Sequence, residues 1–371
     1  MHPSEIPVPD LGGKPSDHHI AVAMSGGVDS SVVAALLHYQ GFNVIGITLQ
    51  LYDHGAAIAK KGACCAGQDI YDARKVADQC GFPHFVLDYE SRFQEKVIDD
   101  FVDTYLKGAT PIPCVKCNEE VKFKDLMQAA QEFGATKMAT GHYIQSIHAN
   151  NKAQLHRGID YNRDQSYFLF TTTQAQADFL MFPLGALKKT ETRDLAHFFG
   201  LKTADKPDSQ DICFVPHGKY SDLIIKKRPT SIQQGDIEHI QTGEILGKHR
   251  GIVHYTIGQR KGLGLPGGTG EPLFVIKINA QENKIYVGSE AYLAKKHIYI
   301  TDLNWIGDHE ITDAGTPIFV KVRSGRAPKA AKLFATHTHN KWRISLEETE
   351  KSVAPGQALQ RQNNTLFTHQ L

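Results

Sequence analysis

Apolar positions along the first 145 residues alternate between two rhythms. Ile20-Ala-Val-Ala-Met24 is a continuous apolar run, the pattern of a strand covered on both faces. Ser30 to Gln40 then carries Val32, Val33, Leu36 and Leu37 at helical spacing and stops at Gly41. A β-rich run over 43–51 follows. After it come a helix near 69–80, with Ile70, Ala73, Val76 and Cys80 on one face, and a strand over 82–88. Helical patterns over 94–107 and 122–133 precede a last strand at 137–140. This alternation predicts an α/β fold with a doubly wound, mostly parallel sheet. From about Pro207 the texture changes to short β-rich runs punctuated by glycine: 243–247, 251–255, 273–278, 284–288, 318–323, 331–335 and 342–346. They predict two small β-rich modules. The expected divisions are a flexible leader over 1–17, a catalytic α/β domain over 18–206, a central β-rich domain over 207–290 and a barrel-like module over 291–371.

Charge adds a second contrast. The 371 residues carry 41 basic and 40 acidic side chains, a net of +1, which excludes a polybasic chain. Residues 1–205 hold 19 basic and 24 acidic groups, or −5, while 206–371 hold 22 and 16, or +6. A basic back half hints at a polyanionic partner. No apolar run approaches the roughly 18 residues of a membrane span. The start lacks the basic and then apolar order of a secretory signal, so a cytoplasmic location without a membrane partner is expected. Six cysteines (64, 65, 80, 114, 117 and 213) are too sparse for a disulfide scaffold and suit a reducing compartment. Cys64, Cys65 and Cys80 read as small buried hydrophobes. Cys117 and Cys213 sit in polar, turn-like contexts and read as reactive thiols.

Ala23-Met-Ser-Gly-Gly-Val-Asp-Ser30 falls between the first strand and the first helix. Such a junction directs free backbone N–H groups and the positive helix end at one point, where an anion can sit. Gly26 and Gly27 permit close backbone approach. Ser25 and Ser30 offer hydroxyls to phosphate oxygens, and Asp29 is suited to Mg²⁺ rather than to phosphate itself. The Walker lysine is missing, so γ-phosphoryl transfer is not indicated. The loop resembles the SGGxDS loop of the N-type ATP pyrophosphatases, the PP-loop superfamily, which implies transfer of AMP to an oxygen with release of pyrophosphate.

Two further stretches bear on the acceptor. Pro111-Ile-Pro-Cys114-Val-Lys-Cys117 places a CxxC between prolines and a helix start, and Asp208-Ser-Gln-Asp-Ile-Cys213-Phe carries a lone cysteine. Sulfur transfer needs one thiol to hold a persulfide and another to resolve it, with thiolate as the reactive form. Lys116, Lys122 and Lys124, with the helix N-terminus, are expected to lower a thiol pKa. A second CxxC or a His pair at metal spacing is missing, so a closed zinc site is not supported.

With these cysteines the loop resembles the tRNA-specific 2-thiouridylase family over almost the whole chain. Shared stretches include Asp72-Ala-Arg-Lys-Val-Ala77, Cys117-Asn-Glu-Glu-Val-Lys-Phe, Ala139-Thr-Gly-His-Tyr143, Asp164-Gln-Ser-Tyr-Phe-Leu169 and Asp208-Ser-Gln-Asp-Ile-Cys-Phe214. His254-Tyr-Thr-Ile-Gly-Gln-Arg-Lys-Gly-Leu-Gly264 and Val353-Ala-Pro-Gly-Gln357 complete the series. The resemblance implies a sulfurtransferase that uses ATP and Mg²⁺ to thiolate the wobble uridine of tRNA, supplied by an upstream persulfide carrier, with no DNA partner. It implies ATP binding by Ala23, Met24, Ser25, Gly26, Gly27, Val28, Asp29, Ser30, Leu49 and Gly141, with Asp29 on Mg²⁺. Cys213 would carry the persulfide and Cys117 would resolve it through a transient Cys117–Cys213 disulfide. Ile112, Pro113 and Cys114 fall at positions facing the flipped base. His142, Arg163, Asp164 and Gln165 fall at tRNA-contact positions, as do Arg323, Ser324 and Gln357.

Two departures and two rivals remain open at this level. Many relatives carry aspartate where this chain has Cys114, so that thiol is either a proton shuttle or a cluster ligand. The tail after Gln357 lacks the family's glycine-rich closing strand, so the last module is expected to close differently. One rival is the same reaction through a [4Fe-4S] cluster on Cys114, Cys117 and Cys213. The other, of a different class, is a PP-loop ligase acting on a small metabolite.

Overall fold

The computed structural model describes residues 2–51, 66–149, 152–208, 212–215, 219–265, 270–306 and 311–361. Its contacts divide the chain into two units: residues 1–96 with 114–216, and residues 97–113 with most of the chain from 217 onward.

In the first unit the apolar run at the start becomes β1 (His19–Ala23), where Ile20, Ala21 and Val22 are almost wholly buried. It is the middle strand of a five-stranded sheet. Helix α1 (Val28–Tyr39) crosses to β2 (Asn43–Gln50), and α2 (Ala66–Cys80) crosses to β3 (His84–Asp88). Gly41 (φ 91°) and Gly81 (φ 86°) follow the ends of these helices with the left-handed backbone that glycine accepts without a Cβ penalty. Residues 113–132 form one helical run, α3, whose middle section Cys117–Asp125 has π geometry. Beyond it lie β4 (Lys137–Ala139), the hairpin of β5 (Ile144–Ala149) and β6 (Lys152–Arg157), β7 (Leu180–Met181) and α4 (Lys189–Phe198). The sheet order is β3-β2-β1-β4-β7, with every pairing parallel. In such sheets ligands collect beyond the carboxyl ends of the strands. Val32, Val33, Leu36 and Leu37, the stripe marked by helical spacing, are fully buried on α1.

Residues 3–11, placed in the leader on sequence grounds, pack on this same core. Ile6 is buried, Val8 and Leu11 lie against the cluster, and Gln40 Nε2 donates to the carbonyls of Pro3 and Ile6, each at 3.0 Å.

The second unit is β-rich. One sheet has β8 (Gly235–His239), β9 (Ile245–His249), β10 (Phe274–Asn279) and β11 (Lys284–Gly288) in the order β10-β11-β8-β9. The run 251–255, expected as β, is a 3-10 turn at Ile252–His254, entered through Gly251 at φ 119°. The other sheet has β12 (Ala294–Thr301), β13 (Thr316–Lys321), β14 (Lys329–Ala335), β15 (Lys341–Lys351) and β16 (Gln360–Arg361). Its order is β12-β15-β14-β13-β16, so among the described residues the closing strand is only two residues long and pairs with Val320 and Lys321.

Candidate active site

The loop between β1 and α1 keeps the shape its glycines predict. Gly27 is the N-cap of α1 and makes no side-chain cap hydrogen bond. The donors of the first helical turn therefore need another acceptor, which an anion supplies. Gly26 has φ 72°, and a Cβ there would lie 2.1 Å from the Asp69 carbonyl oxygen at the start of α2. Ser25 N donates to Ser30 Oγ at 3.1 Å, while Ser30 Oγ and Ser31 Oγ donate to the Gly27 carbonyl at 3.3 and 2.8 Å. Gly141, just beyond β4, closes the opposite wall, where a Cβ would stand 3.0 Å from Ser30 N. Met24 is buried, its carbonyl accepting from Thr48 Oγ1 at 2.8 Å, and Leu49 is half-buried near the end of β2. The result is a backbone cradle that added side chains at Gly26 or Gly141 would fill.

Charged side chains ring this cradle. Lys189, 8% exposed at the start of α4, donates from Nζ to Asp29 Oδ1 and Oδ2 at 2.6 and 2.8 Å and to Asp208 Oδ1 at 2.8 Å. Tyr143 OH donates to Asp29 Oδ1 at 2.8 Å. Burial and the Asp29 carboxylate both push that phenol well up, so it remains a donor. Asp208 also meets Arg163 Nη1 at 2.9 Å and Arg193 Nη2 at 3.1 Å. Burial pushes the Asp208 carboxyl up, but the Lys189 hydrogen bond and the three cations outweigh it and hold it below the usual range. Lys206 Nζ donates to the Gly26 carbonyl at 3.0 Å and to Asp69 and Asp72, each at 2.6 Å. Sequence reasoning missed Lys189, Arg193 and Lys206. Spacing could not flag them, because Lys189 lies 160 residues from Asp29.

The thiols correct two expectations. Cys117 is not in a turn but buried, 7% exposed, on the π section of α3. Its pKa is not lowered but pushed up to about 11, chiefly by burial; Lys122 opposes this, while Cys213 and Cys114 add to it. Lys116 pairs with Glu119 at 3.0 Å and Lys124 with Glu120 at 3.2 Å, leaving Lys122 as the lysine of the three that acts on the thiols. The i→i+5 repeat of a π-helix stacks residue 122 over residue 117. Cys114 and Cys213 are exposed. Protein atoms crowd Cys114 enough to raise its pKa, although the exposed area shows that solvent reaches it. Cys80 is half-buried, and Cys64 and Cys65 lie outside the described residues.

The Cys117 value carries its own prediction. Alkylation of Cys117 by iodoacetamide, followed by peptide mass spectrometry, is expected to quicken about tenfold per pH unit from 7 toward 11. A plateau below pH 9 would contradict the buried-thiol assignment.

Comparison with known proteins bears on what these parts serve. Residues 18–217 match the family described as tRNA methyl transferase HUP domain. Residues 222–289 match its PRC-barrel domain, and 295–360 the aminomethyltransferase beta-barrel domain. The tRNA-specific 2-thiouridylase MnmA of Maricaulis maris is 57% identical over 348 residues, covering 94% of this chain and 84% of that protein. The protein of the same name from Rickettsia africae is 56% identical over 349 residues, covering 94% of each. The chain belongs to the tRNA-specific 2-thiouridylases.

As a thiouridylase the chain is a sulfurtransferase of the PP-loop superfamily. The residues expected to contact tRNA stand in varied surroundings. His142 is half-buried by area yet enclosed by protein atoms. Burial, with Lys122, pushes its pKa down to about 3, so the imidazole is neutral. Its Nδ1 meets Thr140 Oγ1 at 2.9 Å, and its ring lies edge-on to Phe123 at 5.9 Å. Arg163 is exposed and tied to Asp208, whereas Asp164 is almost fully buried against Arg157 and Ser166. Gln165 Oε1 accepts from Tyr143 N at 2.9 Å. In the second unit Ile112 is half-buried and Pro113 buried. Arg323 donates to the Ser352 carbonyl at 2.7 Å, Ser324 is exposed, and Gln357 Nε2 donates to the Thr110 carbonyl at 3.2 Å. Among the described residues no three His, Cys, Asp or Glu side chains gather as a metal site requires. Cys114, Cys117 and Cys213 as arranged do not fit an iron–sulfur cluster. No helix among these residues is long and apolar enough to cross a membrane.

Proposed function

We propose that this thiouridylase replaces O2 of the tRNA wobble uridine with sulfur, activating that oxygen with ATP and delivering sulfur from a Cys213 persulfide. The observation that supports the reading is that one unit holds both the glycine turn and the three thiols, with Cys114 and Cys213 each acting on the titration of Cys117.

A uridine C2 carbonyl is a weak electrophile with a poor leaving group. Transfer of AMP to O2 turns its departure into loss of a stable anion. The amides at Gly26, Gly27 and Val28, with the Ser25 and Ser30 hydroxyls, would hold the polyphosphate and the departing pyrophosphate. Ala23, Met24 and Leu49 would frame the adenosine side, with Gly141 leaving room between. Asp29 is the carboxylate suited to Mg²⁺, which neutralises phosphate charge when bound. A uridine must leave its stack to enter such a site.

The sulfur steps balance as follows. The terminal sulfur of Cys213–S–S⁻ attacks C2, the C2–S bond forms and the C2–O bond breaks with AMP as leaving group. Cys117 then gives up its thiol proton and attacks Cys213 Sγ. The S–S bond to the base breaks, releasing 2-thiouridine and leaving a Cys117–Cys213 disulfide for a cellular thiol reductant to reopen. A thiol near pKa 11 is mostly protonated at neutral pH. Proton removal from Cys117 is therefore a step the site must assist; Cys114, whose own thiol is held protonated by burial, would relay that proton only by passing its own on. The persulfide comes from a carrier protein, and the reduced thiols suit the cytoplasm.

The test is mass spectrometry of tRNA after incubation with ATP, Mg²⁺ and a sulfur source. Wild type should yield 2-thiouridine with one pyrophosphate released per base, and Asp29→Ala should lose both products. Pyrophosphate release driven by a small metabolite instead of tRNA would favour the ligase reading. Iron-dependent visible absorbance in active protein would favour the cluster.

A further inference from the structure

We propose that Lys189 is a positioning residue that couples the nucleotide loop to the segment carrying Cys213, by bridging Asp29 and Asp208. This deepens the function proposed above and rests on the loop being the ATP site and Cys213 the sulfur carrier.

The geometry is specific. One ammonium lies between two carboxylates that belong to different parts of the chain: Asp29 in the first turn of α1, and Asp208, five residues before Cys213. The Lys189 side chain is 10% exposed, so water screens these contacts weakly. Its own backbone is pinned, the amide donating to Asp160 Oδ2 at 3.0 Å. The segment it holds is gripped a second time. Arg193 donates to the carbonyls of Ala204 and Lys206 at 2.6 and 3.1 Å and to Asp208 at 3.1 Å. Lys206 reaches back to the Gly26 carbonyl within the glycine turn. Residues 204–208, which precede Cys213 in the chain, are thus fastened to both ends of the glycine loop, at Asp29 and at the Gly26 carbonyl.

The bridge responds to the cradle's contents because Asp29 cannot serve two cations equally. Asp29 would turn its carboxylate oxygens, which Lys189 now uses, toward a divalent ion bound with nucleotide. The ammonium is then given over to Asp208, tightening the hold on residues 204–208. Sulfur would be presented firmly only when nucleotide is in place, which protects a persulfide from reaction without an activated base. Thermodynamic linkage requires the converse: fixing the Cys213 segment raises nucleotide affinity.

The experiment measures ATP binding directly and the alkylation rate of Cys213, with and without saturating Mg²⁺ and a non-hydrolysable ATP analogue. In wild type the analogue should slow Cys213 alkylation by about fivefold or more. Lys189→Met should bind the analogue yet show a change within about 1.5-fold, and Asp208→Asn should do the same from the other end of the bridge. Lys189→Arg, which keeps the charge and the reach, should restore most of the slowing, an outcome that a merely structural role for Lys189 would not give. Melting curves identify any variant that fails to fold, and Asp208→Asn then carries the test. Failure of wild type to bind the analogue would sink the functional reading itself. Binding with equal slowing in wild type, Lys189→Met and Asp208→Asn would overturn the coupling alone.

Discussion

Cys213→Ser should abolish 2-thiouridine formation while tRNA-dependent pyrophosphate release continues. The hydroxyl cannot hold a persulfide, so sulfur delivered by a carrier has no attachment point. On the route proposed above, activation takes place at the glycine cradle and needs no thiol. The expected loss of product is about a thousandfold or more, typical of removing a nucleophile that works as part of a unit. Cys117→Ser should differ in kind. The base–S–S–Cys213 adduct forms, no thiol resolves it, and a covalent protein–tRNA species accumulates on a non-reducing gel. Product from Cys213→Ser above a tenth of the wild-type level would remove the persulfide from the mechanism. A non-thiol base in place of Cys114 separates its role. Cys114→Asp should keep activity, while Cys114→Ala should slow the resolving step more than pyrophosphate release.

Gly26→Ala is the second large effect. A Cβ at residue 26 would stand 2.1 Å from the Asp69 carbonyl oxygen, closer than any real contact, on a backbone at φ 72°. The left-handed strain and the collision together cost about 1–3 kcal/mol, and the loop must move to relieve them. A lower melting temperature and roughly tenfold to hundredfold weaker ATP binding are expected, since each 1.4 kcal/mol is tenfold. Gly27→Ala is the control. The nearest atom to a Cβ there, Ser25 Oγ, is 3.5 Å away and φ is −86°, so the melting temperature should not move. Calorimetry on the two variants decides it, and equal behaviour would mean that the turn tolerates what its geometry forbids.

Much of this architecture was legible because local pattern and global fold agree. The apolar run at 20–24 and the stripe on 30–40 each have one interpretation in a parallel sheet and lie in the core, and the β-rich run at 43–51 adds Val44 and Ile47 to it. The loop was legible because a strand, a glycine pair and a helix start occur in immediate succession. The surroundings of Cys117 were not. Prolines and lysines nearby suggest an exposed turn, but Val115, Val121 and Phe123 bury that face of α3, and burial overrides the field of the lysines. The ionic frame of Lys189, Arg193 and Lys206 was invisible for another reason: its partners are brought together only by the crossovers of the sheet. The turn at 252–254 misled because apolar β-branched residues suit either a strand or a buried turn, and the positive φ at Gly251 decides between them.

The uncharged thiols have an electrical consequence. At neutral pH Cys114 and Cys117 keep their protons, His142 carries no charge, and the ammonium of Lys122 is felt by all three. On the route proposed above, uncharged thiols beside Lys122 would favour the approach of a persulfide anion. An aspartate at residue 114 would repel that anion, so exchanging carboxylate for thiol trades a ready proton acceptor for easier loading.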